Sequence, residues 1–173
     1  MMRDTGTLAS FNPAGDADGF RAALGSFVTG VTVVTTDSPD GPVGIVANSF
    51  ASVSLDPPLV LWSPAKDSRR FEHFVGARRY AVHVLSADQR DVCAAIIASK
   101  TAVSRIPTRP SHCGIPLIEG ALATFECTLS ATHDAGDHVI VVGEVTRAHH
   151  AGGDPLVFHA GRYGRFHPDD EGR

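Results

Sequence analysis

The sequence predicts a mainly β domain, an antiparallel barrel or sandwich carrying two or three short helices. Three observations predict it: apolar, β-branched segments of strand length recur along the chain, short turns rich in Gly, Pro and Asp separate them, and the regular strand–helix–strand alternation of a doubly wound sheet is missing. At 173 residues and 18.2 kDa the chain suffices for one core and not for two ordinary domains.

The elements follow in order. Residues 1–18 are polar, with Gly6, Pro13, Gly15 and several aspartates, and read as a mobile tail. Phe20, Leu24 and Phe27 then recur at helical spacing behind Asp16 or Asp18 as N-cap, predicting a short helix whose apolar face seals one end of the core. Val31 to Thr36 and Val43 to Ser49 flank the turn residues Asp37 to Pro42 and predict a hairpin. Phe50 to Ser54 continues extended, Asp56-Pro57-Pro58 interrupts, and Leu59 to Trp62 is another strand. A turn at Ser63 to Lys66 leads into a helix over Ser68 to Val75, and Tyr80 to Leu85 is again a strand. Ser86-Ala87-Asp88-Gln89 matches a capping box and predicts a helix over Ala87 to Ala98.

Ser99 to Pro116 has internal prolines and little periodicity, which predicts a long loop or lid. Beyond it Phe125, Cys127, Leu129 and Ala131 alternate with Glu126, Thr128 and Ser130, the period of a half-buried strand. Asp134 to Asp137 turns the chain, and Val139 to Thr146 returns as the antiparallel partner. Leu156 to Phe158 and Arg162 to Phe166 form a last pair around Gly161, leaving 168–173 as a second flexible tail behind a domain spanning 19–167.

Composition excludes several functions. A formal charge of −4 and a pI near 6.1 offer no field for a polyanion, and Arg69-Arg70 and Arg78-Arg79 are only short pairs, so no nucleic-acid partner is expected. No apolar run is long enough to span a bilayer and no signal peptide is evident, so a cytoplasmic protein is expected. Cys93, Cys113 and Cys127 are odd in number and lack CxxC spacing, which predicts reduced, structural thiols. The histidines form no HExxH, and adjacent His149 and His150 project to opposite strand faces; no metal site is expected.

GxGxxG and GxxxxGK[ST] are both missing, so a nucleotide cofactor would bind by other means. Ser63-Pro64-Ala65-Lys66-Asp67-Ser68 joins a strand end to a helix start, where free amides, two hydroxyls and one of only two lysines suit a phosphate; from spacing alone a capped surface helix is the plainer reading, and Asp67 counts against a phosphate. Val46-Ala47-Asn48-Ser49-Phe50 puts polar side chains in an apolar region, satisfied by ligand or by backbone. Thr29-Gly30 is ambiguous between helix end and ligand contact, and His138 sits on a hairpin turn. Glu126 and Glu144 face one another across that hairpin as an exposed pair, to which no catalytic role is assigned.

Taken together, Phe27 to Thr35, Val46 to Phe50, Ser52 to Val60, Ile118 to Leu122, Ala135 to Glu144, Asp154 to Phe158 and Gly161 to Gly164 resemble the flavin reductase-like family, over about Gly19 to Phe166. The resemblance implies a Greek-key split β-barrel that binds FMN, as a homodimer with the flavin near the subunit interface. It implies an oxidoreductase using NADH or NADPH to reduce FMN or FAD, often for a partner monooxygenase. It places Ala47, Asn48 and Ser49 beside the flavin, and Ser63, Lys66 and Ser68, within the turn that includes Pro64 and Ala65, around the phosphate. Backbone around Asn48 to Ser54, including Ser52 and Ser54, is expected to contact the flavin, and Thr29 is a further contact. His138 is similar to the family histidine near the nicotinamide, and is the catalytic candidate. The chain departs from the commoner family pattern over Cys93 to Pro116, which carries no tryptophan, and at His83, where Asn is frequent. A flavoprotein that holds FMN tightly and passes electrons elsewhere, or has no turnover of its own, is the alternative.

Overall fold

The computed structural model describes residues 10–39 and 41–169. Helix α1 (Ala17–Leu24) comes first, followed by β1 (Thr29–Gly30), β2 (Thr32–Thr36), β3 (Val43–Ala47), β4 (Ala51–Leu55) and β5 (Pro58–Trp62). Helix α2 (Phe71–Val75), β6 (Arg79–Val84) and α3 (Arg90–Ala98) lead to a 3-10 turn (Ala102–Arg105) and to β7 (Thr108–Pro110) and β8 (Pro116–Ile118). The long pair β9 (Ala123–Ala135) and β10 (His138–His150) and the short pair β11 (Leu156–His159) and β12 (Arg162–Arg165) complete the order. The domain is mainly β, as the sequence predicts.

Seven strands form one antiparallel sheet in the order β3-β2-β6-β9-β10-β5-β4; β1-β11-β12 form a second sheet and β7-β8 a third. The main sheet must curl. Its edge strands β3 and β4 are consecutive in the chain, and only Asn48, Ser49 and Phe50 lie between Ala47 and Ala51. That link spans at most about 14 Å, whereas the outer strands of a flat seven-stranded sheet would lie about 29 Å apart. The sheet therefore closes on itself with a seam between β3 and β4, which makes a split barrel.

Val34, Val60, Trp62, Phe74, Tyr80, Val82, Cys127 and Val141 fill one core cluster, with Trp62 edge-on to Phe74 at 5.4 Å. A second cluster on the opposite face gathers Val31, Val33, Leu85, Cys93, Ile96, Val103 and Ile118 under α3 and the 3-10 turn. β2 is buried at every position because both of its faces are covered. The cysteines are free, as expected, and burial, reinforced by Glu126, pushes the Cys127 thiol up to about 12, so it is inert at neutral pH.

Several expectations need correction. Asp16 is the cap of α1, accepting from the Gly19 amide at 2.8 Å, so ordered structure starts inside the predicted tail; residues 1–9 and 170–173 of the two predicted tails lie outside the described residues. The apolar face of α1 seals no core: Phe20, Leu24 and Phe27 are 44, 60 and 77% exposed. Helix α2 starts at Phe71 rather than Ser68, because the Ser68 hydroxyl and carbonyl hold the preceding turn by accepting from the Arg70 and Phe71 amides. Helix α3 starts at Arg90: half of the capping box forms, with Gln89 Oε1 accepting from the Ser86 amide, but the Gln89 amide goes to the Ser86 carbonyl instead of the hydroxyl. Residues 99–116 are no lid, since Ala102, Val103 and Ile115 are buried. Glu126 and Glu144 are no exposed pair: a bulge between Val145 and Arg147 sets Glu126 opposite Arg147, and Glu126 is buried under residues 111–115.

Candidate functional site

The barrel seam opens into a cleft of about 330 Å³, lined by Ile45, Val46, Ala47, Asn48 and Ser49 from the end of β3 and by Trp62, Ser63, Pro64 and Ala65 from the end of β5. Ser68, Arg70, Ile97 and His138 complete it. Chain geometry explains the convergence. Strand β3 stops where the seam begins, and the Thr32 hydroxyl pins its last carbonyl, Ala47 O, at 2.6 Å. Ser49 crosses the seam: its hydroxyl accepts from the Ser63 amide at 2.9 Å and lies 3.3 Å from the Ser63 carbonyl. The β9–β10 tip then closes over the other side, with the Lys66 amide donating to Asp137 O at 2.9 Å and the Val139 amide to Pro64 O at 3.1 Å.

Eight of the sequence-predicted residues, Ala47, Asn48, Ser49, Ser63, Pro64, Ala65, Ser68 and His138, are brought together here. Four are not. Thr29 lies in the second sheet opposite Phe158, and Ser52 and Ser54 stand on edge strand β4, where the Ser54 hydroxyl accepts from the Asp56 amide. Lys66 is already committed: its ammonium pairs with the Asp134 carboxylate and donates to Gly136 O at 2.6 Å, so it ties down the hairpin tip.

The cation that does line the cleft is Arg70, which sequence reasoning set aside as half of a short basic pair. Its Nη2 donates to the Ile96 carbonyl at 2.6 Å, fastening the end of α3, while its Nε is buried without a partner. Burial, then the neighbouring Arg69, lowers its pKa from the ordinary value, yet a guanidinium stays charged at any ordinary pH. A half-buried guanidinium whose enclosed Nε has no partner, beside two serine hydroxyls, suits an anion. The one signal in the sequence was its place two residues past Ser68, at the same strand-to-helix joint.

His138 is held by its neighbour: Nδ1 lies 2.7 Å from Asp137 Oδ1, and this contact keeps the Asp137 carboxyl below the usual range. Nδ1 therefore carries a proton towards Asp137, and Nε2 has no partner among the described residues. A larger open cleft of about 620 Å³ runs along β11 and β12 past Val28, Tyr163 and Phe166; it contains none of the predicted site residues. Among the described residues no helix is long and apolar enough to cross a membrane.

Comparison with known proteins identifies the family. Residues 24–167 match the model of the flavin reductase like domain. The chain is 55% identical over 157 residues to an NADH-dependent FMN reductase, SmoA, of Agrobacterium fabrum, covering 90% of each protein. It is 42% identical to HsaB, the reductase subunit of a flavin-dependent monooxygenase of Mycobacterium tuberculosis, covering 87% of this chain and 82% of that one. Among solved structures, an NADH:FAD oxidoreductase of Streptomyces globisporus, SgcE6, in complex with NAD and FAD fragments superposes with a TM-score of 0.87 at 36% identity, over 95% of this chain and 100% of that one. A split barrel, a seam cleft lined by the predicted residues and a family match over most of the chain converge: the protein belongs to the flavin reductase-like domain family.

Proposed function

We propose that this chain reduces FMN or FAD at the expense of NADH or NADPH and releases the reduced flavin to a partner monooxygenase. The observation that carries the reading is the seam cleft, where a buried Arg70 Nε without a partner and the Ser63 and Ser68 hydroxyls offer an anion its donors at one end. The chemistry supplied by the bound cofactors is hydride passage from nicotinamide C4 to flavin N5. The chain's own residues have the simpler tasks of binding and orientation. Arg70, Ser63 and Ser68 hold the flavin phosphate. Asn48 and Ser49 meet the polar edge of the flavin, and Ala47 leaves room for it. His138, oriented by Asp137, turns Nε2 towards the nicotinamide and steadies charge there. Thr29, Ser52, Ser54 and Lys66 are not assigned to flavin contact within one chain; Lys66 acts by fixing the hairpin tip that bears His138.

The relatives favour NADH as the donor, since SmoA and SgcE6 are both named for it, SmoA with FMN and SgcE6 with FAD. The active form is a homodimer. Phe20, Leu24, Phe27, Val53 and Leu55 are large apolar side chains left exposed on α1, the segment after it and edge strand β4, and a second copy would cover them. Reduced cysteines and the absence of a long apolar helix among the described residues support a cytoplasmic location.

The test is anaerobic oxidation of NADH and of NADPH by the purified protein with FMN, with FAD and without flavin. Oxidation that requires added flavin is the expected result. No flavin-dependent oxidation with any of the four pairs would overturn the assignment.

A further inference from the structure

A second polar cluster lies on a different part of the barrel and shares no residue with the seam cleft. On the β6–β9–β10 face, Ala81 stands opposite Glu126 and His83 opposite Thr124, while His149 of β10 also faces Thr124. Alternation along the strands puts His83, Glu126 and His149 on one side of the sheet. The turn between β7 and β8 covers that side and carries His112 and Cys113; it is held by the Ser111 amide donating to Ile115 O at 2.8 Å and by the Ser111 hydroxyl accepting from the Ile115 amide at 3.0 Å.

The carboxylate of Glu126 is 3% exposed, yet no Lys or Arg among the described residues pairs with it. Its only side-chain partners among the described residues are imidazoles: His112 Nδ1 at 3.1 Å from Oε2 and His149 Nε2 at 2.8 Å from Oε1. A buried carboxylate needs a firm positive partner. His112 Nδ1, Cys113 Sγ and a Glu126 oxygen lie within 4.8 Å of one another. Donors around a tetrahedral ion sit about 3.3 to 3.8 Å apart, so closure takes about 1 Å of movement. The turn can supply it, because the His112 side chain is 57% exposed and Gly114 sits at φ +87°. A second observation points to a ligand. His83, on the same side of the sheet as Glu126, is fully buried; its Nδ1 contacts Val33 O of β2 at 3.0 Å, and its Nε2 has no partner.

We propose that His112 Nδ1, Cys113 Sγ and the Glu126 carboxylate bind one divalent transition-metal ion of the zinc class, with His149 orienting the carboxylate. Thiolate, imidazole and carboxylate together suit zinc and disfavour magnesium or calcium, which take oxygen donors. Binding releases the Cys113 thiol proton to solvent and places the imidazole proton of His112 on Nε2, leaving Nδ1 free to ligate. The ion staples the 111–115 turn onto the sheet and supplies the positive partner that Glu126 otherwise lacks. Sequence spacing hides such a site, since its members come from three separate elements and match no ligand motif.

The experiment uses untagged, chelator-stripped full-length protein titrated with zinc chloride, and with cobalt chloride as a coloured substitute. One zinc per chain is expected, with a rise in the thermal midpoint that magnesium does not produce. Cys113→Ser and His112→Ala should each weaken zinc binding at least tenfold, and the thiolate-to-cobalt charge-transfer band should vanish in Cys113→Ser alone. His149→Gln should weaken binding by about 10- to 100-fold while keeping that band. Circular dichroism of each metal-free variant confirms the fold, and Cys113→Ser is a near-isosteric change at a half-buried position. No zinc uptake, or uptake equal in wild type, Cys113→Ser and His112→Ala, would mean an adventitious ion only and overturn the proposal.

Discussion

Replacing Arg70 with Met keeps the aliphatic stem and removes the guanidinium, and two losses should follow. The first is structural: Nη2 no longer donates to the Ile96 and Ile97 carbonyls at the end of α3, a terminus effect of about 0.3–1 kcal/mol. That loss is independent of any flavin. The second is a charge-assisted bond to the flavin phosphate, worth about 1.5–3 kcal/mol. At 1.36 kcal/mol per decade this weakens FMN by about 10- to 150-fold. Riboflavin has the same ring and ribityl chain without the phosphate, so its affinity should change by no more than about twofold, a fraction of a kcal/mol. The assay is paired fluorescence titration of FMN and riboflavin against wild type and Arg70→Met, beside a thermal melt that isolates the structural loss. Equal weakening of the two flavins would refute the phosphate role and reduce Arg70 to a brace between α2 and α3.

Three further outcomes are expected. His138→Ala should cut kcat/KM for NADH at least about tenfold, the loss of one hydrogen bond to a charged group, with the dissociation constant for flavin little changed; stopped-flow reduction of the flavin-loaded protein separates the two. Ser49→Ala removes the acceptor for the Ser63 amide across the seam, which should lower stability by about 1 kcal/mol and the melting temperature by about 2–4 °C, read by calorimetry. His83 concerns pH. Burial, only partly offset by the Val33 carbonyl, lowers its pKa from 6.5 to about 4, so the unfolded chain binds more protons than the folded one between those values. Its contribution is fully present above pH 6.5 and is lost as pH falls towards 4, about 3 kcal/mol in all. His83→Asn should flatten that acid limb in urea titrations run from pH 7 to 4, and an unchanged slope would show that other groups set it.

What was legible in the sequence was local chemistry. The β9–β10 hairpin is written in alternating apolar residues and in the Asp-Ala-Gly-Asp turn, where Gly136 sits at φ +69°. The cleft was legible because strand ends and polar residues in apolar company are local features, and the family resemblance gave them a use. What was missed depends on distant partners. Lys66 reads as a phosphate ligand until the hairpin tip arrives from Asp134 and Gly136 with two better acceptors. Arg70 reads as solvated until α3 packs beside it and leaves Nε enclosed. Alternation puts Glu126 on the outer face of its strand, which is correct, but a second layer made by residues 111–115 buries that face too. The 99–116 segment lacks periodicity because its order comes from docking on β3 and β6 rather than from a repeating apolar face.

Gly44 on β3 determines how remote changes reach the cleft. A methyl group there would sit 2.7 Å from Val103 Cγ2 and 2.9 Å from Ile96 Cδ1, so α3 and the 3-10 turn rest directly on strand backbone with no side chain between as a cushion. The same strand runs on through Ile45 and Val46 into the wall of the cleft, and Ile97, next to Ile96, forms part of another wall. A change in bulk at Ile96 or Val103 therefore displaces main chain instead of being absorbed by rotamer shifts. The 93–116 stretch, in which this chain departs from the commoner family pattern, therefore bears on the cleft twice, directly through Ile97 and from behind through the backbone of β3.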